Sequence, residues 1–274
     1  MTRVPLWRDP ALAGPAALLA AIVLLVLVGP WLAVQPFDAI DFDAEWGQGP
    51  SLAHPFGTDD LGRDLFARTC VGGRLSLAVG LVSTLVSLAI GVVWGAVAGW
   101  AGGRIDALMM RIVDVLYALP FMFFVILLMV LFGRHWLLIF VAIGAVSWLD
   151  MARIVRAQTQ SLRQRPFVDA AVVAGLGGPA ILLRHIVPNL AGVVVVCATL
   201  TIPQAILVES FLSFLGLGIQ EPATSWGALV NDGARAMETT PWGLVFPAGL
   251  LVLTLLAFNR LGDALRARLE GAGR

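Results

Sequence analysis

The sequence predicts an all-α, polytopic membrane protein: six transmembrane helices with a short cytoplasmic helix–turn–helix. Three observations carry this. Of the 274 residues, 59% are hydrophobic and only 13% are charged, far from the composition of a soluble domain. Apolar runs long enough to cross a bilayer recur along the chain. The intervening loops are alternately arginine-rich and acidic, and the basic loops of a membrane protein mark its cytoplasmic side.

Arg3 and Arg8 end a cytoplasmic segment, 1–10, ahead of the apolar run Ala11–Val34. A signal peptide has a shorter apolar core and a small-residue cleavage site, so this run reads as an uncleaved first span. It opens a membrane domain over 11–258. An acidic stretch, Gln35 to about Arg74, carries Asp38, Asp41, Asp43, Glu45, Asp59, Asp60 and Asp64. The second span is Leu75–Trp100. Its Ser87, Gly91, Gly95 and Gly99 form a small-residue stripe for close helix packing. Arg104 and Asp106 occupy a short loop. The third span, Ile112–Phe132, opens with Arg111 and Asp114 spaced to pair on one face, and Pro120 should kink it. Gly133–His135 make a turn. The fourth span, Trp136–Leu149, continues as helix into Asp150–Leu162. The fifth is Leu190–Leu215 and the sixth Trp242–Phe258. The tail, 259–274, is amphipathic and arginine-bearing, and an even span number puts it on the cytoplasmic side with the N-terminus.

Several function classes are excluded. Formal net charge is zero, which gives no footprint for nucleic acid. Every basic side chain is Arg; with no Lys there is no phosphate-binding P-loop and no Schiff-base chemistry. If ATP drives this protein, another chain binds it. Cys70 and Cys197 make no disulfide framework. His54, His135 and His185 fall in different loops without metal-ligand spacing, and no catalytic motif is present.

The stretch 150–189 forms a basic cytoplasmic loop, with Pro166–Asn189 as a projecting knob. Arg153, Arg156, Arg163 and Arg165 precede it. Pro166 suits a first helical turn, and Asp169 then meets the helix dipole. Phe167, Ala170, Ala171 and Ala174 recur at helical spacing as one small face. Gly175 is a C-terminal stop. Gly177 and Gly178 allow a reversal, Pro179 opens a second short helix through His185, and Pro188 opens the next span. A helix lying on lipid headgroups is the alternative.

Asp169-Ala170-Ala171, then Gly175, then Ile186-Val187-Pro188 resembles the EAA loop of ABC-importer permeases, with Asp for Glu and Val for Leu. HPFGTDDLGRD, from His54 to Asp64, resembles the segment ahead of the second span in the oligopeptide/dipeptide (peptide/nickel) branch. So does Glu209–Gly218 followed by Ser225-Trp226-Gly227. The likeness covers nearly the whole chain and is strongest to the second, C-type permease of such systems. It implies the type I importer permease fold in a bacterial inner membrane. It also implies four kinds of partner: a homologous permease subunit, two ATPase subunits, an extracytoplasmic binding protein and membrane lipid. By the same resemblance this chain catalyses nothing and binds no cofactor, ATP and Mg belong to the ATPases, and Asp169, Ala170, Ala171, Gly175, Ile186 and Pro188 form the ATPase-docking element. A nickel or glutathione importer shares these motifs. An intramembrane enzyme would need catalytic groups gathered at one depth, and an insertase would not need the knob.

Gln204, Glu209 and Ser213 are polar groups on the fifth span. Such groups face a cavity or a neighbouring helix, so they read either as translocation-path residues or as an interhelical hydrogen-bond set. The segment 54–74, with Asp60, Arg63 and Asp64 at helical spacing, reads as an outer amphipathic brace for the first two spans.

Overall fold

Asp9 accepts a hydrogen bond from the Ala11 amide and caps α1, Pro10–Leu32, whose first residue is a proline. This is the expected first span. A computed structural model describes residues 9–40, 46–132 and 136–272. The segment with Arg3 and Arg8, the acids Asp41, Asp43 and Glu45, and Gly133–His135, where a turn is expected, lie outside the described residues.

The second helix, α2, is Leu65–Ala101, 37 residues long. It starts ten residues before the expected span because Asp64 caps it, accepting from Phe66 N at 2.7 Å and Ala67 N at 3.1 Å. At about 1.5 Å per residue it is near 55 Å long, well over the bilayer core. The expected outer helix at 54–64 is instead an irregular loop with an isolated antiparallel bridge between Thr58 and Asp64. The charges there tie segments together rather than line one helical face.

The expected third span divides at Pro120 into α3, Gly103–Ala118, and α4, Phe121–Phe132. The two meet at 80°, sharper than the expected kink. Asp114 does not pair with Arg111; it accepts from Arg153 Nη2 at 2.9 Å. Arg153 lies on α5, Trp136–Arg163. One turn further, Arg156 grips Asp106 through Nε at 2.5 Å and Nη2 at 2.6 Å, with Gln160 adding a bond at 3.0 Å. These pairs pin α3 to α5.

The small-residue stripe of α2 lies on α5. A Cβ added at Gly95 would reach 2.9 Å from Arg156 N, and one at Gly99 2.8 Å from Thr159 Cβ. Ser87 donates to the Ser147 carbonyl at 2.8 Å. Packing is therefore what the stripe does: small residues let the backbones approach.

After α5 come α6, Pro166–Val173, and α7, Gly178–Ile181. A π-helical turn, Leu182–Ile186, joins α7 to α8, Val187–Phe214. Pro188 does not open a separate span. Its missing N–H falls at the start of α8, where the wider turn absorbs it, and Gly178–Phe214 runs on as one 37-residue helix. α9, Trp226–Arg235, and α10, Trp242–Ala272, complete the chain. The expected sixth span and the tail thus form one helix. α10 packs against α1, α8 and α9, and α2 sits between α1, α5 and α8.

Four helical stretches are long and apolar enough to cross a membrane among the described residues, or five if α3 and α4 make one bent span. The apolar part of α5 ends at Leu149, short of the roughly 20 residues a span needs. The protein is all-helical and multi-pass.

Candidate functional site

The knob is built by a specific helix ending. Gly175 adopts φ +80°, a conformation glycine enters without strain. The Gly175 amide donates to Val172 O at 2.9 Å and the Leu176 amide to Ala171 O at 3.1 Å. This is the Schellman arrangement, which satisfies the last carbonyls of α6 and reverses the chain. The reversal rests on Gly175 alone; Gly177 is extended at φ −71°, and Gly178 begins α7.

The two faces of α6 differ. Val168 and Ala171 are buried with Val155, Ile181 and Ile186. Phe167, Asp169, Ala170, Val172, Val173 and Ala174 are exposed, Val173 at 89%. The expected single face of Ala170, Ala171 and Ala174 is thus split: Ala171 serves the knob's own core. Of the other expected docking residues, Gly175 and Pro188 are exposed and Ile186 is buried. The outward surface is an apolar patch around Val172 and Val173 with Asp169 beside it. The sequence reading missed it because valine at helical spacing reads as core.

On α8 the three polar candidates part company. Glu209 is fully buried. Ser213 Oγ donates to its Oε1 at 2.7 Å, and Ser76 Oγ on α2 donates to its Oε2 at 3.1 Å. The Trp226 amide in turn donates to Ser76 Oγ at 3.2 Å, and Trp226 Nε1 to Thr69 O at 3.0 Å. Ser225, which caps α9, reaches Ser213 Oγ at 3.3 Å. Glu209 and Ser213 therefore sit in a polar knot joining α2, α8 and α9. This is the interhelical geometry of the two readings the sequence left open.

Gln204 is exposed into a cleft of about 160 Å³ between α4, α5 and α8. Ser147, Asp150 and Thr201 share its lining. The sequence marks Asp150 only as the point where α5 leaves the membrane. Its signal was a lone carboxylate one residue past an apolar run.

The loop 46–64 is fastened at the opposite end of the bundle from the knob. Trp242 Nε1 donates to Thr58 O at 2.9 Å, and Phe56 stacks on Phe246 with centroids 4.1 Å apart. His54 Nδ1 lies 3.2 Å from Asp64 Oδ2. Arg63 binds Asp59 at 2.7 Å and Glu221 at 2.8 Å. Burial works to lower the Arg63 guanidinium, but the two carboxylates outweigh it and raise it. The Arg63 hydrogen bond in turn holds Glu221 below the usual carboxylate range. Asp60 bonds Thr240 at 3.2 Å instead of an arginine.

Known proteins resemble this chain closely. The family profile described as binding-protein-dependent transport system inner membrane component matches residues 91–271. The oligopeptide transport system permease protein OppC of Haemophilus influenzae is 49% identical over 269 residues, covering 96% of this chain and 85% of that protein. Its namesake from Escherichia coli is 50% identical over 275 residues, covering 97% and 91%. The dipeptide transport system permease protein DppC of Bacillus subtilis is 46% identical over 262 residues, covering 95% and 81%. With a profile across two thirds of its length and such identities along nearly all of it, the chain belongs to the family of binding-protein-dependent transport system inner membrane components.

Proposed function

We propose that this chain is the C-type permease subunit of an ATP-driven peptide importer and forms half of the translocation pathway for oligopeptides or dipeptides. The observation that carries the reading is identity of about half to oligopeptide permeases over nearly the whole chain. The other half of the pathway comes from a homologous permease subunit. An extracytoplasmic binding protein delivers the cargo, and two ATPase subunits hold ATP and Mg. With no lysine for a phosphate loop, this chain contributes no nucleotide site of its own.

The membrane topology follows from charge. The arginine-rich end, with the knob and both termini, faces the cytoplasm, and the loop 46–64 faces outward. Six spans result when α3 and α4 cross as one bent unit and α5 supplies the fourth. The knob then reaches the ATPase with its exposed patch, Asp169, Ala170, Val172 and Val173, while Ala171 and Ile186 hold its shape from within.

Coupling is mechanical. The knob hangs from α5 on one side and is continuous with α8 on the other. From Gly178 to Gln204 the helix rises about 39 Å at ~1.5 Å per residue. A knob displaced by closing ATPases therefore moves the cleft residues Gln204 and Thr201 along one continuous helix, whose bending points are the π turn and Pro203. Gln204 lines the path; Glu209 and Ser213 brace the helices around it.

Purification of the tagged chain from cells expressing the whole system should bring down two ATPase subunits and a second permease. Vesicles holding the complex should take up a labelled tripeptide only with ATP inside and loaded binding protein outside. Uptake without the binding protein, or a complex lacking ATPase, would overturn the reading. The ligand carried by the partner binding protein identifies the cargo.

A further inference from the structure

The cleft between α4, α5 and α8 has a one-sided hydrogen-bonding character. Ser147 Oγ donates its proton to the Ile143 carbonyl at 2.7 Å. Thr201 Oγ1 donates to the Cys197 carbonyl at 2.9 Å. A hydroxyl has one proton to give, so both oxygens offer the cleft only lone pairs. Asp150 adds a carboxylate. It is exposed to the cleft, and among the described residues it receives no hydrogen bond and forms no ion pair. The nearby arginines of α5 are engaged elsewhere: Arg153 with Asp114, Arg156 with Asp106. Gln204 contributes a carbonyl oxygen as well as an amide. Three side chains thus present acceptors and negative charge, and the fourth adapts.

Depth sharpens the point. Asp150 lies 14 residues into α5, about 21 Å from Trp136 at ~1.5 Å per residue. A charged group that far along a membrane-entering helix faces a partner or a wet cavity and marks a functional path. The remaining walls, such as Phe121, Ile143 and Val208, are apolar. At ~30 Å³ per water, the cleft holds about five waters. That is room for one small charged headgroup and its first carbons.

We infer that this cleft is a binding site for a primary ammonium group of the translocated cargo, with Asp150 as its counter-charge and Ser147, Thr201 and Gln204 accepting its N–H donors. An ammonium has three donors and no acceptor, the complement of this wall. A guanidinium wants a planar pair of acceptors, and an anion would meet Asp150 without any free donor but the Gln204 amide. In a peptide the ammonium is the amino terminus or a lysine side chain. This assignment rests on the cleft belonging to the translocation path.

Two measurements on the whole complex in lipid vesicles test it. In the first, Val208→Cys reports from the cleft wall in a Cys70→Ala, Cys197→Ala background. Labelling rates are compared for aminoethyl methanethiosulfonate, a primary ammonium, and its anionic sulfonatoethyl analogue. Asp150 should favour the ammonium reagent, and Asp150→Asn should cut the preference about tenfold. An unchanged preference, or no labelling by either reagent, overturns the site. This readout needs no transport, so it distinguishes a wrong ammonium site from a wrong importer reading, in which peptide uptake itself is absent.

In the second, vesicles are given binding protein loaded with trialanine, N-acetyl-trialanine or N-acetyl-Ala-Lys-Ala. Asp150→Asn should lower trialanine uptake about tenfold, leave ATP hydrolysis stimulated, and spare N-acetyl-trialanine; Asp150→Glu should restore much of the loss. Sensitivity of the lysine peptide extends the site to side-chain ammonium, and insensitivity confines it to the amino terminus. Equal loss for all three cargoes, or for none, overturns the proposal.

Discussion

Ser76 on α2 donates its hydroxyl proton to Glu209 on α8 across 3.1 Å, inside a site from which water is excluded. A buried acceptor with three hydroxyl donors, Ser76, Ser213 and, more distantly, Ser210 at 3.5 Å, holds helices together, and removing it strands the donors. Glu209→Leu should therefore destabilise the complex by about 1–3 kcal/mol, seen as a lower melting temperature in detergent. Glu209→Gln keeps one carbonyl acceptor and should cost less. Transport per folded complex should hold. Altered transport at unchanged stability would return Glu209 to the pathway.

The Asp106–Arg156 pair should behave as a latch between α3 and α5. Asp106→Ala removes two charged hydrogen bonds and a third to Gln160. A double-mutant cycle with Arg156→Ala should give a coupling of about 1–3 kcal/mol. Additive effects of the two substitutions would show that the pair contributes no specific attachment.

Gly95 and Gly175 should respond differently to alanine. At Gly95 the added methyl meets the backbone of α5, and overpacking of this kind costs about 1–3 kcal/mol. At Gly175 the methyl meets open space, but φ is +80°, a strain of about 1–2 kcal/mol confined to the turn. Gly95→Ala should lower the yield of folded complex. Gly175→Ala, and Gly175→Val more strongly, should leave yield intact and weaken ATPase attachment. The same loss of yield from both would contradict this division.

The inward placement of Ala171 sets the knob experiment. Ala171→Trp would force a large ring against Val155, Ile181 and Ile186, so it should unfold the knob. Ala170→Trp and Val173→Glu change only the exposed face. They should insert at normal levels and lose ATPase subunits on purification. Normal uptake with both in place would favour a knob that rests on lipid.

The Arg63–Glu221 tie gives a sign for pH. Glu221 is held below its ordinary value by Arg63. Its contribution is present above an unfolded-state value of about 4.3 and is lost as pH falls through the lower folded value. The melting temperature of the native complex should exceed that of Glu221→Gln at pH 7, and the difference should shrink below about pH 4. A difference that grows on acidification would reverse the assignment.

Topology is tested by labelling. An impermeant thiol reagent should reach Gly177→Cys only from the cytoplasm and Gln48→Cys only from outside. The opposite pattern would invert the six-span reading.

Much was determined by the amino-acid sequence alone. Apolar runs fix which segments prefer lipid, and α1, α2, α8 and α10 are each built around one, α2 and α10 reaching well beyond it. Pro166 and Gly175 set the first helix of the knob, because a missing N–H and a missing Cβ act locally whatever surrounds them. The family was legible too, since its motifs are strings of neighbours. Tertiary structure decided everything that depends on which face meets which. Ala171 and Ala170 are adjacent and alike, yet one is core and the other surface. Glu209 and Gln204 are five residues apart on one helix, yet one is locked to Ser76 and the other opens on a cleft. Asp114 found Arg153, 39 residues away, in preference to Arg111 on its own helix. A hydrogen bond needs its partner within about 3 Å, and only the packed bundle, through the close approach of α2 to α5 at Gly91, Gly95 and Gly99, says which groups arrive at that distance.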